Sequence, residues 1–263
     1  MATEQAAVRR FQVGTLHLEV HPSREAAGEA AAAAAARSLR DLASRGPSFG
    51  VIFATGASQL ATLHALTAIP GLPWNRVVGF HMDEYVGIAP DHPASFRRYL
   101  RENLTSRAPL GAFHEIDGTQ PDLDVVCDNY VRLLRGHDPK LCLLGIGENG
   151  HLAFNDPAEA DFADPRDMKL VHLDRECRQQ QVAEGWFPNV DTVPSQALTL
   201  TIPALLRVPK LIASVPGPRK AHIVRRTLDE PISTACPATI FRTHPDVTVY
   251  LDPESAAELD GLK

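Results

Sequence analysis

The stretch Leu141–Pro157, LCLLGIGENGHLAFNDP, decides the fold. Its apolar run Leu141–Leu144 reads as a strand covered on both faces, the kind found in parallel sheets. The run breaks into Gly145-Ile146-Gly147-Glu148-Asn149-Gly150, a turn whose glycines take backbone conformations that side chains resist. The turn presents Asn149, His151 and Asp156. In an open parallel α/β sheet, ligands bind at the carboxyl ends of strands. An imidazole and a carboxylate placed there are positioned for proton transfer.

Working outward, short apolar runs alternate with longer helical stretches. Thr15–Val20 reads as a strand, and Pro22-Ser23 opens an Ala-rich helix reaching Ser44, with Ser23 as cap and Arg45-Gly46-Pro47 as stop. Phe49–Phe53 and Arg76–His81 read as strands, with a helix from Gln59 to Leu66 between them. Met82–Pro93 reads as a loop, followed by helices from Ser95 to Leu104 and from Leu123 to Leu134. Beyond the polar stretch Ala158–Asp167, strands are expected at Leu170–Leu173, Ala197–Leu200, Leu211–Val215 and Val247–Leu251. Helices are expected at Ile202–Leu206 and from Gly217 to Leu228. This alternation predicts an α/β fold: a Rossmann-like, doubly wound, mostly parallel sheet with helices on both faces. No linker, repeat or low-complexity block divides the chain apart from the alanines of the first helix, so residues 1–263 read as one domain.

The 263 residues are 44% hydrophobic and 22% charged, an ordinary balance for a soluble globular protein. The net charge of −6 argues against a nucleic-acid binder, which usually carries a basic face. Four scattered cysteines form no C-x-x-C pair, so neither a disulfide framework nor a zinc site is expected. The first residues lack the apolar core of a signal peptide, and no apolar run approaches the roughly 20 residues of a membrane span. The expectation is a cytoplasmic protein with reduced thiols and no membrane partner.

Three further loops follow strands and carry chemistry. Thr55-Gly56-Ala57-Ser58 joins a strand to a helix, where backbone N–H groups and two hydroxyls make an anion site. It is not a dinucleotide fingerprint, because G-x-G-x-x-G is absent. Asp83 and Glu84 are adjacent carboxylates at a strand end, where each raises the other's pKa; one is expected to act as general base and the other to support it. Lys220 lies in the first turn of a helix, where the dipole disfavours a cation unless an anionic ligand lies beside it. An anion clamp at one end and proton-transfer groups at the other suit a sugar phosphate.

These segments together resemble the glucosamine-6-phosphate deaminase (glucosamine-6-phosphate isomerase) family, which is related to 6-phosphogluconolactonase. The resemblance runs from about Gly50 to Leu251 and is sharpest at FHMDEYVGIAPDHPASFRRYL, Phe80–Leu100, and GIGENGHLAFNDP, Gly145–Pro157. ALTLTIPALL, Ala197–Leu206, and PGPRKA, Pro216–Ala221, support it. The resemblance implies conversion of glucosamine 6-phosphate to fructose 6-phosphate and ammonia, without metal or cofactor. It implies that Asp83 moves the proton between C2 and C1, and that His151, oriented by Asp156, assists ring opening. It assigns the phosphate to Thr55, Gly56, Ala57, Ser58 and Lys220. The expected partner is a small-molecule amino-sugar phosphate; homo-oligomer formation is left open.

Three departures stand out. Asn149 replaces an aspartate near the histidine, and Glu148, one residue earlier, is an alternative source of the missing charge. Asp156 replaces a glutamate. The family's phosphate-binding arginine in the Leu170–Phe187 region is represented by Gln181 or Ala183, with Arg175 and Arg178 as candidates to compensate from another turn. The rival functions are a 6-phosphogluconolactonase, which Ala153-Phe154-Asn155-Asp156-Pro157 opposes, and a non-catalytic sugar-phosphate sensor.

Overall fold

Two sheets organise the chain, described over residues 7–259 in a computed structural model. In chain order the elements are β1 (Arg9–Val13), β2 (Leu16–Val20), α1 (Arg24–Arg45), β3 (Phe49–Phe53), α2 (Leu60–Ala68), β4 (Val77–His81), β5 (Asp83–Tyr85) and α3 (Phe96–Leu100). There follow β6 (Ala112–His114), α4 (Leu123–His137), β7 (Leu141–Leu144), β8 (Met168–His172), α5 (Arg175–Ala183), β9 (Gln196–Leu200), α6 (Ile202–Leu206), β10 (Leu211–Ser214), α7 (Ala221–Asp229) and β11 (Val247–Leu251). The large sheet has eight strands in the order β1-β2-β11-β10-β7-β3-β4-β6. All its pairings are parallel except the β1–β2 hairpin. The small sheet, β5-β9-β8, is antiparallel.

Period-2 alternation divides the large sheet's side chains between two cores. Phe49, Val51 and Phe53 of β3 and Leu141 and Leu143 of β7 join the core under α1 and α2. Ile52, Cys142 and Leu144 point the other way, into the core shared with α4, α6 and α7. Helices therefore cover both faces, which is why the central strands read as unbroken apolar runs. From β3 the chain adds β4 and β6 on one side, then returns to add β7, β10 and β11 on the other. The reversal lies between β3 and β7, whose carboxyl ends carry the Thr55–Ser58 and Gly145–His151 loops.

The structure departs from expectation in local ways. The segment Met82–Pro93 is not all loop, because Asp83–Tyr85 pairs with β9. The strand expected at Leu170–Leu173 is Met168–His172, and the helix after Ser95 is a short α3 continued by a π-helical turn, Arg101–Thr105. A 3-10 turn, Pro218–Lys220, precedes α7. Strands β1 and β6 and helix α5 have no counterpart in the sequence reading.

Helix α1 starts where expected: the Ser23 side chain accepts from the Ala26 N–H. Its buried face is almost entirely alanine, which allows close approach to the sheet and to α2. At Gly28 the approach is tightest, since a Cβ there would lie 2.6 Å from Ala61 Cβ and 2.9 Å from the Ala61 carbonyl carbon. Alanine gains roughly 1 kcal/mol over glycine from helix propensity. The clash is with backbone and outweighs that gain. Gly28→Ala is expected to lower stability by about 1–3 kcal/mol through overpacking; a urea midpoint equal to or above the parent's would contradict this packing.

Candidate active site

The loops that leave β3, β4, β7 and β10 converge on one cleft of about 240 Å³. Its walls include Thr55, Gly56, Ala57, Ser58, Asp83, His151 and Lys220, so every loop singled out from sequence contributes. Glu84 and Asn149 lie behind the wall, and Asp156 is fully buried beneath His151.

The two adjacent carboxylates have opposite surroundings. Glu84 accepts from the Tyr85, Phe96 and Arg97 N–H groups and the Ser95 hydroxyl, and it pairs with the Arg97 guanidinium at 3.3 Å. Burial pushes its pKa up, and the donors from Arg97, Phe96 and Ser95 oppose that push. It is the supporting carboxylate, holding the start of α3 against β5. Asp83 faces the cleft at 5% exposure, and its carboxylate accepts no hydrogen bond among the described residues. Burial, reinforced by the Glu84 charge, holds its pKa well above the ordinary carboxylate value. A carboxyl so desolvated and so lacking in donors can take up a proton more readily than an ordinary aspartate. His81, just upstream, is a core residue: burial lowers its pKa to about 3, and its Nε2 accepts from the Ile116 N–H at 2.7 Å.

His151 is held through Asn149 and Asp156. Its Nδ1 lies 2.9 Å from Asp156 Oδ1. Asn149 donates to that same oxygen at 3.0 Å and accepts from the His151 backbone N–H at 3.0 Å. Burial pushes Asp156 up, but His151, Asn149 and the Cys177 thiol together hold it below its usual value. The aspartate is therefore kept charged next to the imidazole. Glu148 supplies no such charge, because it pairs with Arg219 at 3.1 Å instead. Gly147 makes room for the ring, since a Cβ there would lie 2.2 Å from His151 Cε1 and Nε2.

Ligand atoms of His151, Asp156 and Cys177 all lie within 4.8 Å of one another, a spacing that suits a cation. Burial, then the Asp156 charge, raises the Cys177 thiol well above its normal pKa. A protonated thiol is a hydrogen-bond donor to Asp156, so the chemistry of the set fits a proton relay better than a metal centre.

At the other end of the cleft, the Thr55–Ser58 loop is tied down by Gln59, whose amide donates to Ser58 Oγ and to the Ser214 carbonyl. The Tyr99 hydroxyl donates to the Gly56 carbonyl at 2.9 Å. Lys220 is buried on the cleft wall, and its ammonium makes no ion pair among the described residues. Burial lowers its pKa, partly offset by Glu184 and Glu148. An anion in the cleft would relieve that burden.

A family model described as glucosamine-6-phosphate isomerases/6-phosphogluconolactonase matches residues 22–250. The chain belongs to this family. The glucosamine-6-phosphate deaminase of Arthrobacter sp. is 32% identical over 235 residues, covering 86% of this chain and 88% of that protein. The glucosamine-6-phosphate deaminase of Lactobacillus helveticus is 30% identical over 207 residues, covering 79% and 84%. Among solved structures, a monomeric glucosamine-6-phosphate deaminase superposes with a TM-score of 0.85 at 28% identity, over 92% of this chain and 99% of that one. The 6-phosphogluconolactonase of Thermotoga maritima shares the fold, with a TM-score of 0.70 at 21% identity over 90% and 98%.

Among the described residues, the α5 side of the cleft of this member of the glucosamine-6-phosphate isomerase/6-phosphogluconolactonase family carries no arginine. Neither Arg175 nor Arg178 reaches the wall, and Arg178 is spent on the Val190 and Val193 carbonyls. Helix α5 and the residue after it bring Gln180, Gln181 and Glu184 instead. Gln180 and the Trp186 indole both donate to Glu184. The sequence carried no helix signal here, because α5 buries only Cys177 and Gln181.

The contrast between Asp83 and Glu84 is measurable. Asp83→Asn removes an ionised group that burial disfavours, and it is expected to raise stability at neutral pH by about 1–2 kcal/mol. Because the folded-state pKa of Asp83 is raised, the parent's deficit exists above that value and fades as pH falls and the carboxyl protonates. Glu84→Ala strands five donors and is expected to cost about 3–5 kcal/mol. Urea unfolding of both variants checks the pair; equal effects would show that the two carboxylates do not differ as described.

Proposed function

We propose that the protein is a glucosamine-6-phosphate deaminase. It opens the pyranose, shifts a proton from C2 to C1, and hydrolyses the resulting C2 imine to fructose 6-phosphate and ammonia. The single observation that carries this reading is Asp83: a buried, donor-free carboxylate in the same cleft as the His151–Asp156 pair and an anion loop. The anion loop with Lys220 takes the phosphate and fixes the sugar along the cleft. With the phosphate so held, C1 and C2 face the chemical end, where the Asp83 carboxylate accepts the C2 proton and returns it at C1. His151 carries the ring-oxygen proton, and Asp156 stabilises the imidazolium that forms. Four buried, free thiols support the cytoplasmic setting proposed for it. No described helix is long and apolar enough to cross a membrane.

The test is ammonia release from glucosamine 6-phosphate, with galactosamine and mannosamine 6-phosphates and 6-phosphogluconolactone in parallel. Turnover of glucosamine 6-phosphate is expected. Faster lactone hydrolysis would favour the lactonase, and binding without turnover the sensor. Asp83 works as the anion, so kcat/KM should fall as pH drops through its raised pKa, above the ordinary aspartate value of about 3.9. An acid limb at or below that value would remove Asp83 as the base.

Gly147→Ala tests the placement of His151. Displacing the ring by about 1 Å is expected to lower kcat/KM on the closed-ring substrate roughly a hundredfold. An open-chain analogue, which needs no ring opening, should lose far less. Equal losses would mean that His151 does not serve that step.

A further inference from the structure

We propose that Arg24, at the start of α1, supplies the guanidinium of the phosphate clamp that α5 does not provide. The inference rests on the sugar-phosphate reading above and names a residue outside every loop so far assigned to it.

Three cations line the cleft: Arg24, Arg219 and Lys220. Arg219 is paired with Glu148. Lys220 is buried and holds no ion pair, but it is a compact point charge. Arg24 is exposed and makes no hydrogen bond or ion pair among the described residues. Its planar fork matches two phosphate oxygens at once, which an ammonium does not.

Packing places it there. Gly28 lies one helical turn beyond Arg24 and abuts Ala61 and Thr62 near the start of α2. The anion loop Thr55–Ser58 leads into that same helix. The close α1–α2 contact therefore brings the first turn of α1 beside the anion loop. As with Lys220, a cation in a first helical turn is disfavoured by the helix dipole, and a bound anion removes that conflict.

The charge balance points the same way. Glu184 and Glu254 also line the cleft, and Glu184 is the leading carboxylate acting on Lys220. A phosphate held by Lys220 alone would meet that negative charge without compensation. Arg24 restores the balance from α1, so the clamp is built from α1 and the β10–α7 turn rather than on α5.

The experiment compares the parent with Arg24→Gln and Arg24→Lys, using two probes: inorganic phosphate, read by thermal shift, and glucosamine 6-phosphate, read by steady-state ammonia release. Arg24→Gln is expected to weaken phosphate binding and raise KM by about 10- to 100-fold, the loss of a charge-assisted contact, with a much smaller change in kcat. Arg24→Lys should recover part of the loss, since it restores charge without the fork. Parent-like phosphate affinity and KM in Arg24→Gln would overturn the assignment while leaving the deaminase reading intact. Lost phosphate binding in Arg24→Gln, with a parent that binds phosphate but releases no ammonia, would uphold Arg24 and overturn the deaminase. A parent that neither binds phosphate nor releases ammonia would overturn both.

Discussion

Strand β9 is the constraint through which the chemical end of the cleft is assembled. Its Thr199 stands opposite Asp83 in the small sheet. The Thr199 hydroxyl also accepts from the Phe154 N–H at 3.1 Å, and the Leu200 carbonyl accepts from the Asn155 amide at 2.8 Å. The Leu200 N–H in turn donates to the Met82 carbonyl at 2.7 Å. One strand thus fixes the segment before the base and the segment before Asp156 in a single register. A slip by one residue would turn β9's faces over and break every one of these contacts together. The separation of Asp83 from the Asp156 segment is set by backbone pairing on the Asp83 side and by the Thr199 hydroxyl and the Asn155 amide on the other.

The large sheet supplies the other half of the geometry. The Ala54 N–H donates to the Leu143 carbonyl at 2.9 Å, so β3 and β7 are still joined where their loops begin to part. Beyond that point one loop leads into α2 on one face, while the other passes through the small sheet to α6 on the opposite face. The opening between them is the crevice expected where a doubly wound sheet reverses direction.

This division explains what could be read from the chain. Strands β3, β4, β7, β10 and β11 are almost wholly buried, so their sequences are mostly apolar and legible. The Gly-rich turn, His151, Asp156, Asp83 and the anion loop follow those strands directly and were legible with them. Strand β5 is three residues long and reads Asp-Glu-Tyr, which carries no strand signal in isolation; it exists because β9 pairs with it. Strand β6 is equally short, and β1 is a mostly exposed edge. Arg24 looked like an ordinary helix-start residue, because only the α1–α2 packing gives it a place on the cleft. The sequence also left open whether Glu148 serves His151, which its ion pair with Arg219 answers.

The two ends of the cleft are built from different materials, and that governs how each tolerates change. At the chemical end, Asp83 lies in the paired strand β5 and Asp156 follows Asn155, whose amide is tied to β9, and burial plus named neighbours shifts the pKa of each. Substituting Asn149 or shortening the acid to Asp156 is absorbed there by side chains, since the amide bridges Asp156 and the His151 backbone without moving the strand. At the proposed anion end, the groups come from the starts of α1 and α2 and the turn before α7, which contribute charge and N–H donors more than precise position. A phosphate is recognised chiefly by charge and by N–H donors, so its counter-charges are interchangeable among whichever helix starts surround it. A cleft can therefore carry Gln180, Gln181 and Glu184 on the α5 side and still bind an anion, provided another wall makes up the lost charge. Position is the scarce quantity at one end and net charge at the other.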